Sequence, residues 1–170
     1  METTAYIALG ANLGDPLATI RAALEALRHM PDTTWIAASS LYRTAPVGLH
    51  DQPDFINAVV QLRAVPNKDS MPLAPTFLQQ LFAIEERFGR VRSVKNAPRT
   101  LDLDLLLFGD VISDDSFCTL PHPRLHERAF VLAPLAEIAP TLTIPGRGQI
   151  GQLLAGCAGQ QIVRLHDPAN

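Results

Sequence analysis

The chain has 170 residues, 47% of them apolar and 18% charged, with a formal net charge of −3. That fits one domain spanning residues 1–170 with a sizeable core, and it excludes a disordered chain. The acidic balance also excludes a broad electrostatic footprint for nucleic acid, so any anion site has to be local. Cys118 and Cys157 lie far apart in sequence, which argues against a disulfide framework and for a reducing cytoplasm. No signal peptide is read at METTAYIALG, and no apolar run approaches the roughly 20 residues of a spanning helix, so no membrane partner is expected.

Ala5–Leu9 reads as a short buried strand that GANLGDP then breaks. Asp15 suits an N-cap and Pro16 a first helical turn, which predicts a helix from about Pro16 to His29 with Leu17, Ile20, Ala23, Leu24 and Leu27 on one face. GANLGD lacks both phosphate-loop signatures and reads as a tight strand-to-helix turn. Trp35–Thr44 reads as a second strand and Phe55–Val65 as a third. Alternation in the third puts Ile56, Ala58, Val60 and Leu62 on one face and Phe55, Asn57, Val59 and Gln61 on the other. Its polar members make the latter face the one to meet solvent or ligand.

Thr76–Phe88 predicts a second helix with Leu78, Leu81, Phe82 and Phe88 in its stripe, Ile84 at the edge and Gly89 as terminator. Thr100–Phe108 is a fourth strand, Arg128–Ile138 a helix despite Pro134, and Ile150–Leu154 the start of a short last helix. The order β-α-β-β-α-β predicts an α+β fold of ferredoxin-like plan: an antiparallel sheet with helices on one face, plus a C-terminal extension. A parallel α/β sheet is the alternative. The direct strand-to-strand passage through Pro46–Asp54 counts against it.

The chemistry concentrates in RFGRVRSVKNAPRTLDLDLLLF. Arg87, Arg90, Arg92, Lys95 and Arg99 fall within thirteen residues, and Asp102 and Asp104 follow. Two residues apart on a strand, the carboxylates share one face while Leu101, Leu103 and Leu105 point the other way. Mg2+ is typically held by one or two carboxylates plus substrate phosphates. Alone, the pair fits a solvated edge strand better. The neighbouring bases reverse that preference, because Arg90, Arg92 and Arg99 offer phosphate a planar bidentate fork and Lys95 a mobile point charge. Glu85 could pair with a base or accept from a ligand. PHPRLHERAF carries His122, Arg124, His126, Glu127 and Arg128; Pro123 and the lack of a third ligand weaken a zinc reading, and phosphate contact or structural hydrogen bonding suits His122 better.

YIALGANLGD, SSLYRTAPVG, DQPDFINAVV, GRVR, APRTLDLDLLLFG and PHPRLHERAFVLAPLAEIAP together resemble the 6-hydroxymethyl-7,8-dihydropterin pyrophosphokinases of folate biosynthesis, over nearly the whole chain to Pro140. The resemblance implies transfer of a diphosphate from ATP to the pterin hydroxymethyl group with release of AMP. It implies two Mg2+ ions on Asp102 and Asp104, and Arg90, Arg92, Lys95 and Arg99 in or at the base of a loop that meets the triphosphate, with Arg90 and Arg92 counted as catalytic beside the aspartates. It implies His122, Arg128 and Glu85 on the ATP side, Phe55 and Phe130 stacking the pterin, Asn57 reading its edge, and Thr44, Val47 and Asp102 lining its pocket. Asn96 stands where some relatives carry Trp. A monomer acting on small molecules is the implied state. A ligand- or RNA-binding module, and a Mg2+-dependent nuclease or glycosyltransferase using the Asp pair, are the competing readings. The first lacks an aromatic RNA motif, and the second leaves Phe55, Asn57 and Phe130 unexplained.

Overall fold

Alternating apolar residues make the strands and a 3.6-residue stripe makes the helices. Elements run β1 (Thr3–Ala11), α1 (Pro16–Arg28), β2 (Thr33–Ala38), β3 (Tyr42–Thr44), β4 (Phe55–Ala64), α2 (Ala74–Arg87), β5 (Asp102–Phe108), a 3-10 turn (Leu125–Glu127), α3 (Ala129–Ile138), β6 (Thr143–Ile144), β7 (Gly148–Gln149), α4 (Ile150–Ala155) and β8 (Val163–Arg164). The computed structural model describes residues 1–46, 51–89 and 100–165.

A mixed helix and antiparallel-sheet architecture results. The six-stranded sheet runs β5-β1-β4-β3-β8, with β2 also paired to β4. β1 lies between β4 and β5, antiparallel to both. Asp15 caps α1 by accepting from the Ala18 N–H at 3.1 Å, and Pro16 opens the helix as its sequence suggests. Gly89, at φ +87°, follows α2 and supplies the left-handed turn that ends it.

Three expectations shift. Trp35–Thr44 is two strands, not one. Between them Ser39 is buried: its N–H donates to the Val59 carbonyl, its Oγ accepts from the Val59 N–H at 2.9 Å, and its hydroxyl donates to Ser40 O at 2.8 Å. The side chain takes over ladder bonds where the backbone leaves the register. In α2 the buried face is Phe77, Leu78, Leu81, Ile84 and Glu85, while Phe82 and Phe88 are half-buried. Helices also cover both faces of the sheet. Ile7, Leu9, Ile56, Ala58, Val60, Leu62, Leu103 and Leu105 meet α1 and α2. Tyr6, Val59 and Leu106 meet α3 and α4 through Leu132, Leu135 and Ile150.

That second cover is partial, and burial along each strand shows its limit. On β5, Leu106 is buried and Asp104 and Asp102 are half-exposed; on β1, Tyr6 is buried and Ala8 and Gly10 are half-exposed. One half of this face is core. The other half stays open, and it is where the polar residues stand. Among the described residues, no helix is long and apolar enough to cross a membrane.

Candidate active site

β5 builds the acidic side of the open half-face. Leu101, Leu103 and Leu105 are buried in the core, so alternation forces Asp102 and Asp104 to the opposite side. Cross-strand register then lines up a row. Asp102 pairs with Gly10, Gly10 pairs with Asn57, and Asn57 pairs with Tyr42. Asp104 lies one row deeper, opposite Ala8. Gly10 is the low point of the row: a Cβ placed there would lie 3.5 Å from Asn57 Oδ1.

Asn57 is 5% exposed, and its Nδ2 donates to Thr44 Oγ1 at 2.9 Å. With the amide nitrogen engaged, Oδ1 is left on the side of Gly10 as the group to accept from a ligand. Phe55, paired with Thr44, stands two residues further along the same face, half-buried. Beyond the row, Asn12 donates to Gln52 Oε1 at 3.1 Å and so ties the GANLGD turn to the segment that enters β4.

Opposite this wall, the PHPRLHERAF segment brings the cations. His122 is held by its own N–H, which donates to Leu106 O at 2.9 Å, so the residue sits beside β5. Burial pushes the His122 imidazole below its ordinary value; Arg128 and Arg124 act in the same direction, and Asp104 and Asp102 oppose them. Its Nδ1 accepts from the Arg124 N–H at 3.3 Å, which assigns the proton of the neutral ring to Nε2. Burial and Arg124 likewise lower Arg128, against the pull of Asp104 and Asp102; a guanidinium ionises so high that it stays charged. The Arg128 guanidinium carbon lies 5.5 Å from the centroid of the half-buried Phe130 ring. Asp102, Asp104, His122 and Arg128 therefore act on one another across a single patch.

Glu85 enters from behind. It is 0% exposed, and its Oε1 accepts from the Leu103 N–H at 3.1 Å. It thereby holds β5 between the two aspartates. Arg90, Arg92, Lys95, Arg99 and Val47 lie outside the described residues. Among those described, no group of three His, Cys, Asp or Glu side chains forms a metal cage. Two hard carboxylates on one half-exposed face do fit Mg2+, which completes its shell with phosphate and water. Sequence reasoning did not single out Gly10, Asn12 or Gln52. Gly10 had a signal, since a glycine closing an apolar strand often marks a close approach.

Sheet and site together define an antiparallel α+β protein that presents carboxylates, an imidazole and a guanidinium at one open sheet face. Within that class, the chain belongs to the 7,8-dihydro-6-hydroxymethylpterin-pyrophosphokinase (HPPK) family, whose sequence model matches residues 6–140. It is 45% identical over 161 residues to the 2-amino-4-hydroxy-6-hydroxymethyldihydropteridine pyrophosphokinase of Pseudomonas aeruginosa, covering 94% of this chain and 95% of that protein. It is 40% identical over 163 residues to the protein of that description in Haemophilus influenzae, covering 96% of this chain and 98% of that one. In fold it is similar to Plasmodium falciparum HPPK-DHPS, with a TM-score of 0.68 at 14% identity over 92% of this chain; it spans 42% of that longer protein.

Proposed function

We propose that this protein is an ATP-dependent pyrophosphokinase of folate biosynthesis, moving a diphosphate from ATP to the hydroxymethyl group of 6-hydroxymethyl-7,8-dihydropterin and releasing AMP. The observation that carries the reading is the row Asp102–Gly10–Asn57, with His122 and Arg128 acting on the aspartates from the facing segment. It combines a hydrogen-bonding edge for a heterocycle with a charged platform for phosphates on one strip of sheet.

In this reading Phe55 and Phe130 offer aromatic faces to the pterin, Asn57 Oδ1 accepts from its edge, and Thr44 fixes the Asn57 amide. Val47 and Asp102 complete the pocket. Arg128 and His122 Nε2–H hold phosphate oxygens, joined by Arg90, Arg92, Lys95 and Arg99 from the basic segment. Glu85 serves ATP binding through β5, whose Leu103 amide it holds. Two Mg2+ ions, held by Asp102 and Asp104, would neutralise charge on the transferring group. The hydroxyl attacks the β-phosphorus in line and AMP leaves, so the side chains are asked for position and charge, not for a covalent bond. The chain is taken as one ferredoxin-like domain, acting as a cytoplasmic monomer.

Purified protein with ATP, Mg2+ and the reduced hydroxymethylpterin should release AMP in step with pterin diphosphate. ADP as the nucleotide product, or no product, would overturn the assignment. A phosphoenzyme burst in rapid-quench experiments would overturn direct attack.

A further inference from the structure

The segment after residue 140 lies beyond the part of the chain that the family's sequence model matches. It nonetheless returns to both walls of the candidate pterin pocket. α3 begins without a side-chain cap of its own, since Arg128 at its N-cap position makes no capping bond. Gln160 supplies one from thirty residues away. Its Oε1 accepts from the Ala129 N–H at 2.9 Å, and its Nε2 donates to Glu127 O at 2.7 Å. One amide thus holds both sides of Arg128 and the turn that carries Phe130.

The other wall is β3, three residues long and bearing Thr44. β8 pairs with it at Tyr42–Arg164 and Arg43–Val163, and the Leu165 N–H donates to Leu41 O at 2.8 Å. Arg164 then reaches across. Its Nε donates to Ser40 Oγ at 3.1 Å and its terminal nitrogen to Glu137 Oε1 at 3.1 Å. Glu137, near the end of α3, also accepts from the Ser40 N–H, from Ser40 Oγ at 2.8 Å and from the Tyr42 hydroxyl at 2.7 Å. Tyr42 is the residue paired with Asn57, so this network ends on the strand that fixes the Asn57 amide through Thr44.

We infer that the C-terminal segment is a positioning strap for the pterin: Gln160 sets the start of α3 with Phe130, and Arg164 with Glu137 sets β3 with Thr44 against Asn57. The inference rests on the assignment of Phe130, Thr44 and Asn57 to the pterin. Neither Gln160 nor Arg164 touches the reacting groups. Each acts through another residue, at an end of the pocket that β5 and its aspartates do not form.

Steady-state constants of the full chain test it, with ATP and the reduced hydroxymethylpterin varied separately, well below each variant's melting temperature. Arg164→Ala should raise the KM for pterin roughly tenfold, leaving kcat and the KM for ATP within about twofold of wild type; Gln160→Ala, which loosens Arg128 together with Phe130, should raise the KM for pterin as far and the KM for ATP with it. Arg164→Lys, which keeps a charge for Glu137, should fall between. Asn57→Ala is the control for the site itself. If Asn57→Ala raises the pterin KM and the strap variants do not, the strap is overturned and the site stands. If Asn57→Ala leaves the pterin KM unchanged, the site assignment fails and the strap falls with it. A fall in kcat with both KM values unchanged, tracking lost folded protein, would make the segment structural only. Should Gln160→Ala not fold, Arg164 decides the matter alone.

Discussion

Gly10→Val adds a branched side chain to the open face of β1 at the point between Asp102 and Asn57. The backbone there tolerates a Cβ: the nearest atom is Asn57 Oδ1 at 3.5 Å, an ordinary contact. Gly10→Ala should therefore fold as well as wild type or better. Removing a glycine where the native backbone suits alanine is worth ~0.4–1 kcal/mol through the unfolded chain, or a melting temperature roughly 1–4 °C higher at this length. Valine suits a strand equally well, but its two γ-carbons stand above the Cβ, over Asn57 Oδ1. A pterin edge pressed against that oxygen would lose its acceptor, a loss of ~1–3 kcal/mol, hence a roughly 5- to 150-fold higher KM for pterin. The assay is AMP release with pterin varied at saturating ATP, beside a thermal melt of each variant. An unchanged pterin KM in Gly10→Val refutes the placement of the pterin edge over this row. A melting temperature several degrees lower in Gly10→Ala refutes the claim that the glycine serves the site and not the strand.

Asp104→Ala should lower turnover by more than ~100-fold with the thermal transition kept, since Leu103 and Leu105 supply the burial of β5; loss of the transition would make Asp104 structural. Ser39→Ala strands the buried Val59 N–H and should cost ~1–3 kcal/mol, read as a lower urea midpoint with an unchanged slope; an unchanged midpoint would show that the register break does not need the hydroxyl. Burial works against the Glu137 carboxylate, but the Tyr42 and Ser40 hydrogen bonds and the Arg164 charge hold it below its ordinary value. A depressed carboxylate stabilises the fold above its unfolded value of 4.5 and loses that contribution as pH falls through the lower folded value. The stability gap between wild type and Glu137→Gln should thus be constant near neutrality and shrink below pH 4.5, and a gap that persists at low pH would refute it. Tyr42, pushed up to about 12 by burial and by Glu137, stays neutral throughout.

What the sequence made legible follows from period. LDLDL alternates strictly, so the split of β5 into a core side and a carboxylate side needed no tertiary information, and FINAVVQL gave the face of Asn57 in the same way. The capped start of α1 and the glycine end of α2 are local chemistry and were equally plain. WIAASSLYRT was not, because its small and apolar residues carry no break; the interruption depends on Ser39 meeting Val59, twenty residues on. Glu85 was legible in principle. It lies four residues after Leu81 and seven after Leu78, on the helix's buried stripe, where a carboxylate needs a buried donor. The donor proved to be the Leu103 amide.

The tail shows why some of the site had no local signal at all. Gln160 and Arg164 sit in a Gly-rich stretch without periodicity, and their meaning comes from partners between about 30 and 125 residues earlier. Metal and phosphate chemistry is written in short range because charges of one kind must be gathered by one strand and its neighbours. A pocket that must recognise a flat heterocycle needs two walls, and in the proposed reading those are β4 with β3 on one side and the start of α3 on the other. Nothing in either wall's own sequence fixes the distance between them. As inferred for the strap, that distance is set where the chain ties both together, at β8 and the glutamine before it.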